Sequence, residues 1–172
     1  NIDFGDCFSN PLSYAHHLYM KGKEVKDLVI PKSVTSIGSY AFYDCSGLTS
    51  VTIPNSVKRV GNSAFGFCYG LTSVTIGNSV TSIGMSAFQH CTRLTSVTIG
   101  NSVKSIEYSA FSGCSELLDV YCYAESAPAT ESQVFNNSPI ARATLHVPAS
   151  SIDSYKAEYP WSKFGKIVAL TK

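Results

Sequence analysis

The sequence predicts a strand-rich α/β solenoid made of 23-residue repeats and closed by a cap at each end. Three observations predict it. Leu48, Leu71, Leu94 and Leu117 recur at that interval, and Phe42, Phe65, Phe88 and Phe111 keep the same step. Cys45, Cys68, Cys91 and Cys114 form a third column at that spacing. Within each interval the apolar residues first alternate and then cluster. A fixed period of this length marks a stacked array, because one such unit cannot bury its own apolar edge.

The elements follow in chain order. Phe4, Phe8, Leu12 and Tyr14 are expected to cover the first turn. The stretch HHLYMKGKEVKDLVI places two apolar segments around Lys21-Gly22-Lys23, which reads as a hairpin whose second strand becomes the first repeat strand. Repeats begin at Val25, Leu48, Leu71 and Leu94; a fifth, from Leu117, diverges after LLDVYC, for about four and a half regular turns. In the unit from Leu48, Val51 and Ile53 alternate with Ser50 and Thr52, the two-residue period of a half-buried strand. Val57 and Val60 mark a second short extended segment. Ala64, Phe65 and Cys68 fall at i, i+1 and i+4, the spacing of one helical turn, after a corner at Gly61 or its equivalents Gly38 and Gly84. Stacking sets equivalent strands roughly 4.8 Å apart and joins the apolar columns into one core.

The far end must differ, because an open stack exposes apolar surface and strand edges. Ala143 to Val147 reads as one more repeat strand with Leu145 and Val147 inward. Ser150-Ser151-Ile152-Asp153 reads as a helix start, with Asp153 three residues after a candidate cap, and that helix ends before Pro160. Trp161, Phe164 and a strand over Ile167 to Leu170 then close the stack. Residues 1–172 are read as a single solenoid domain: an N-terminal cap with hairpin over 1–24, repeats over 25–122, and a degenerate repeat with C-terminal cap over 123–172.

Composition narrows the function. The chain has 172 residues, a net charge of +1 and only 15% charged residues, against about 25% in an ordinary globular domain. Its 26 serines and 12 threonines outnumber the 25 charged side chains, so short hydroxyl groups make much of the surface. At 44% hydrophobic residues it is too apolar for a disordered linker. A near-neutral chain lacks the basic face that nucleic-acid binding needs. No apolar run is long enough for a membrane span, which takes roughly 18 consecutive apolar residues or more. The chain opens on Asn1 without a basic-then-apolar leader, which reads as a mature or trimmed sequence.

No catalytic, metal or cofactor site is expected. The column of Cys45, Cys68, Cys91 and Cys114 puts neighbouring thiols within bridging range, but stacked side chains point in parallel rather than toward each other. They are read as free buried thiols acting as small hydrophobes. Cys122 falls one repeat after Ile99 and joins the inward column; only Cys7 lies outside the pattern. His16-His17 and His90-Cys91 are the close pairs of metal-ligand type, and adjacent residues on a strand face opposite ways. His90 and Asp44 lie two turns apart, roughly 10 Å, too far for a base and its orienting carboxylate.

Two faces are candidates for binding. Variation between repeats concentrates around the turn that carries the Phe. There Tyr43, Phe67, Tyr69, Met85 and Tyr108 occupy slots that sister repeats fill with Gly, Ser or Asn, so they are expected to be exposed and to form a protein-contact patch. The second face is the outward strand strip of Ser50, Thr52, Ser73, Thr75, Ser96, Thr98 and Tyr121, a flat, low-charge surface suited to an extended protein. A hydroxyl array of this kind also suits ice, but only three turns carry it, and Val29 and Tyr121 interrupt it.

The unit LxxVxIPxSVxxIGxxAFxxC, as in Leu48–Cys68, resembles the BspA-like leucine-rich repeats of anaerobic bacterial surface proteins. The flanks NPLSYAHHLYMKGKEVKDLVIP and TLHVPASSIDSYKAEYPWSKF resemble those found with such repeats. The resemblance implies a right-handed leucine-rich repeat solenoid with strands on the concave face. It also implies a secreted or cell-surface protein that adheres to other proteins, including host extracellular matrix and plasma proteins. The alternative is a passive structural spacer within a larger surface protein. The turn after the strand holds Pro54-Asn55-Ser56 or Gly77-Asn78-Ser79, so the usual inward Asn column is shifted or absent.

Overall fold

A computed structural model describes residues 15–131 and 133–171. The chain begins with the hairpin β1 (Tyr19–Met20) and β2 (Lys23–Glu24), paired antiparallel. Its tip, Lys21 and Gly22, has two positive φ angles of 50° and 76°, the pair a tight right-twisted hairpin requires. The hairpin forms a sheet of its own: β3 (Asp27–Val29) is a separate strand in a different sheet, so β2 does not run on as the first repeat strand. The four aromatic and leucine residues expected to cap it, Phe4, Phe8, Leu12 and Tyr14, lie outside the described residues, as does Cys7.

Each regular turn then supplies one long and one short strand. The long ones are β4 (Ser50–Ile53), β6 (Ser73–Ile76), β8 (Ser96–Ile99) and β10 (Asp119–Cys122). The short ones are β5 (Arg59–Val60), β7 (Ser82–Ile83), β9 (Ser105–Ile106) and β11 (Ala129–Thr130). With β3, β12 (Thr144–Val147) and β13 (Lys166–Ala169), the long strands form a seven-stranded sheet, and the short ones a four-stranded sheet. Pairing of long strands from turn to turn is parallel and in register, for instance Val51 with Val74 and Cys122 with Ile99. The predicted alternation is seen in β4, where Val51 and Ile53 are buried and Thr52 is exposed.

The stack has about six turns, not four and a half. Starting residues of the long strands are Asp27, Ser50, Ser73, Ser96, Asp119, Thr144 and Lys166. The step lengthens from Asp119 to Thr144 and shortens from Thr144 to Lys166, so an exact ruler stops early while the stacking continues.

The turn expected to be helical is not a helix. Tyr40, Ser63, Ser86 and Ser109 open it with φ between 51° and 56°, and Asp44, Phe67, His90 and Gly113 close it with φ between 56° and 73°. A right-handed helix cannot accommodate those left-handed residues. Between them, alternate N–H groups donate to the next turn rather than within it: Phe65 to Ala87 O, Phe67 to Gln89 O, Phe88 to Ala110 O and His90 to Ser112 O. The same inward positions, Ala64, Phe65 and Cys68, are buried, which is why the spacing imitated a helix.

The core is the predicted set of columns. Leu48, Leu71, Leu94, Leu117, Phe65, Phe88 and the four column cysteines are buried. Phe42, Phe65, Phe88, Phe111 and Phe135 stack face to face at 5.0–5.8 Å with their planes within 13°. Trp161 and Phe164 then meet Phe135 edge-on, at 72° and 86°. The edge-to-face contact suits a terminus, because an electropositive ring edge meets the face that no further copy covers.

At the far end, Leu145 and Val147 are buried and β13 pairs with β12, as expected. The helix there, α1 (Ile152–Ala157), follows a single 3-10 turn over Ala149–Ser151. The capping box is not formed. The Ser150 hydroxyl donates to Glu125 Oε2, and the Ser151 hydroxyl donates to the Glu125 carbonyl and carboxylate, which ties the helix to the preceding turn.

Hydroxyl and amide side chains join one turn to the next. Thr72 Oγ1 donates to Thr49 O at 3.0 Å, Thr95 Oγ1 to Thr72 O at 3.1 Å and Thr81 Oγ1 to Lys58 O at 3.1 Å. An Asn ladder does exist, in the exposed turn: Asn78 N donates to Asn55 Oδ1 at 2.7 Å, and Asn101 N to Asn78 Oδ1 at 3.2 Å.

Candidate binding surfaces

The two faces named from the sequence lie in different parts of each turn. The strand strip lies on the outward side of the long sheet. One column runs Val29, Thr52, Thr75, Thr98, Tyr121, His146 and Val168; its neighbour runs Asp27, Ser50, Ser73, Ser96, Asp119 and Thr144. Its middle carries only serine and threonine, and its ends carry Asp27, Asp119 and His146. At one end Asp27 accepts the Ser50 hydroxyl at 2.6 Å and the Thr49 hydroxyl at 3.1 Å, and those bonds hold its carboxyl below the usual range. At the other end the Tyr121 ring stacks on His146 at 4.2 Å, and His146 Nε2 pairs with Asp119 Oδ1 at 2.9 Å. Sequence reasoning found Tyr121, with Asp119 two residues before it in the same strand, but missed His146 as their companion. The step from Tyr121 to His146 is longer than the repeat, so the period that found the strip does not connect them.

The five residues of the expected contact patch fall into two groups. Tyr43, Phe67 and Tyr69 follow the Ala-Phe pair and are joined by ring contacts, Tyr43 to Phe67 at 5.3 Å and Phe67 to Tyr69 at 6.0 Å. The row continues from Phe67 to His90 at 4.9 Å. Met85 and Tyr108 precede the Ala-Phe pair, and the Tyr108 hydroxyl donates to Gln133 Oε1 at 3.0 Å. Exposure also differs from expectation. Tyr69, Met85 and Tyr108 are exposed, but Tyr43 and Phe67 are half-buried. Tyr43 lies over the glycine of the next turn, where a Cβ on Gly66 would sit 3.3 Å from its ring, and Phe67 lies between Tyr43 and His90, at 5.3 and 4.9 Å. Each ring lies down along the stack onto its neighbour.

Phe67 stands out within its column. Asp44, Phe67, His90 and Gly113 share the left-handed conformation. Gly adopts it freely, and Asp and His are enriched there; for a bulky aromatic it is an outlier. Phe67 has φ 61°, with a strain of roughly 1 kcal/mol.

The thiols are placed as inert core groups. Cys68 Sγ donates to Phe42 O at 3.1 Å and Cys91 Sγ to Phe65 O at 3.2 Å, each to the turn before. Burial pushes the Cys45 thiol up to about 11 and Cys114 to about 12. The histidines expected to diverge do so: His17 Nδ1 meets Glu24 Oε1 at 2.6 Å, while His16 Nδ1 meets Asp44 Oδ2 at 3.1 Å. Among the described residues no three His, Cys, Asp or Glu side chains are grouped to hold a metal ion, and no helix is long and apolar enough to cross a membrane.

The family follows from the repeat itself. The sequence matches the model of the BspA-type leucine-rich repeat region over residues 15–142, in six copies. The chain belongs to that family. Six copies agree with the stacked turns. Among solved structures, the leucine-rich repeat protein of T. pallidum is similar at a TM-score of 0.63 and 19% identity, over 84% of this chain and 70% of that one. A leucine-rich repeat protein from Bacteroides ovatus is similar at 0.54 and 21% identity, over 84% of this chain and 43% of that one. A leucine-rich cell surface protein from Faecalibacterium prausnitzii is similar at 0.51 and 21% identity, over 86% and 48%. The BspA-type chain described here thus spans less than half of two of these three. A comparison with curated proteins finds no match.

Proposed function

We propose that residues 1–172 form one solenoid domain that binds other proteins, without catalysis, outside a bacterial cell or at its surface. The contact patch is centred on Phe67 and Tyr69, and the partners are of the extracellular-matrix or plasma-protein class. One observation carries this reading. Phe67 sits in a left-handed conformation that Gly113 fills without strain in the same column, so the fold does not require a phenylalanine there. Its ring instead joins Tyr43, exposed Tyr69 and His90 in a continuous aromatic row, the residue chemistry enriched at interface centres. Membership of a repeat family whose members include surface proteins supports the location.

The strand strip supports the second reading, a passive spacer. Its middle turns repeat Ser-Val-Thr-Ile unchanged, and an unchanging face offers a partner little to select. Surface plasmon resonance against immobilised extracellular-matrix and plasma proteins separates the two. Binding that is lost in Phe67→Ser/Tyr69→Ser, with the fold intact, supports the patch. No binding by this chain, with binding by a longer parent chain, supports the spacer.

A further inference from the structure

We propose that the C-terminal margin of the long sheet holds a second site, a groove for a neutral oligosaccharide lying along the solenoid axis. It arises from one column of the repeat. Pro54, Gly77, Gly100 and Tyr123 each follow the last residue of a long strand, and Pro31 holds the equivalent position two residues past the end of β3. Proline fills the first two positions, glycine leaves the next two bare, and the Tyr123 ring, 45% exposed, stands at the fifth. The floor between Pro54 and Tyr123 is therefore backbone. It is packed so closely that a Cβ on Gly100 would fall 2.4 Å from the Gly77 carbonyl oxygen. Three strand steps separate Pro54 from Tyr123, roughly 14 Å of the axis.

The walls carry polar groups of one kind. Thr75 and Thr98 stand on the sheet side and Asn55 and Asn78 on the turn side of a groove of about 260 Å3 that Tyr123 also lines. It adjoins a second hollow of about 510 Å3 through Asn55, Thr75 and Gly77. The Asn55 and Asn78 amide oxygens accept the N–H of the next turn. That bond fixes each side chain and leaves its Nδ2 group, with two donors, for a ligand. The site thus offers a row of amide donors, threonine hydroxyls that donate or accept, and one aromatic face. None of the residues lining the 260 Å3 groove is charged, and the adjoining hollow carries a single charged side chain, Lys32.

A pyranose chain fits that chemistry. Its ring hydroxyls bond amides and hydroxyls, and its C–H face packs on an aromatic ring. A phosphorylated or sulfated ligand would find no cation in the groove that Tyr123 lines, and one alone, Lys32, in the adjoining hollow. An extended peptide bound by strand addition needs a free sheet edge, and β6 and β8 are paired on both sides.

Saturation-transfer NMR with the whole chain tests the site, using hexasaccharides of β-1,4-glucose, β-1,4-N-acetylglucosamine, β-1,4-xylose and α-1,6-mannose. At least one is expected to bind with a dissociation constant on the order of 1 mM or tighter. Tyr123→Ala is expected to weaken it about fivefold or more, with unchanged thermal unfolding because the ring is exposed. Phe67→Ser/Tyr69→Ser is expected to leave it unchanged, which keeps this site separable from the protein-contact patch. The proposal is overturned if no hexasaccharide shows transfer or if binding survives Tyr123→Ala.

Discussion

Two aromatic rows run along this solenoid, and they obey different rules. The inner row, Phe42 to Phe135, keeps one residue type and stacks with ring planes within 13°. The outer row, Tyr43, Phe67 and His90, draws on two adjacent columns that both change residue between turns, and its planes tilt by 52° and 40°. Inside, each ring's environment is a copy of itself, so a change at one turn breaks the fit of two neighbours. Outside, a ring is partly open to solvent and rests on whatever the next turn offers, Gly66 for Tyr43, His90 for Phe67 and Gly113 for His90. Identity between turns therefore marks packing, and departure from identity marks the places free to take a role.

The sharpest break between the rows is a truncation. Phe88→Ala removes a fully buried ring between Phe65 and Phe111 and is expected to lower stability by about 3–5 kcal/mol. Tyr69→Ser on the outer face is expected to change it by less than about 0.5 kcal/mol. Urea unfolding followed by circular dichroism measures both, and equal effects would show that the inner row is not the main support.

A second difference is alkaline. The inner thiols are raised by burial, Cys45 to about 11 and Cys114 to about 12, with Cys68 and Cys91 well above the ordinary 9.0. In the unfolded chain they ionise near 9.0. Their contribution is therefore complete below about pH 9 and is lost as pH rises toward the folded values, at up to about 1.4 kcal/mol per pH unit for each thiol. The urea midpoint should fall steeply above about pH 9, and Cys91→Ala should make that slope shallower. A slope unchanged in Cys91→Ala would mean this thiol does not drive the loss.

Smaller again is the hydroxyl link between turns. Thr72→Val keeps the shape of the side chain but removes the donor to Thr49 O, and is expected to cost about 1 kcal/mol. Thr52→Val, on the exposed face of β4, should cost less. If both variants unfolded alike, the threonines at strand starts would be no more than strand formers.

How far these rows were legible follows from the period. Inward columns could be read because stacking demands the same side chain at the same step, and the cap could be read because Trp161 and Phe164 are large apolar residues that fall outside the repeat columns. The turn around Phe65 was misread as helical because inward spacing reports which residues are buried, not the sign of φ at Ser63 and Phe67. His146 was missed as the partner of Tyr121, and the sixth turn was undercounted, for one reason: an insertion shifts the count without shifting the stack. The hydroxyls were read as solvated surface, whereas Thr72, Thr81 and Thr95 bond the preceding turn. Side chains whose partner is a backbone carbonyl leave no trace in residue identity.

The smallest expected effect says most about the outer row. Phe67→Gly removes the ring contacts to Tyr43, Tyr69 and His90 and at the same time relieves a left-handed conformation that glycine holds freely. The two changes oppose each other, each roughly 1 kcal/mol, so the unfolding midpoint should stay close to that of the parent. Binding to a protein partner should nonetheless fall with the lost ring. A loss of stability beyond about 2 kcal/mol would mean that Phe67 serves the fold, and the outer row would then be an extension of the core rather than a surface held ready for contact.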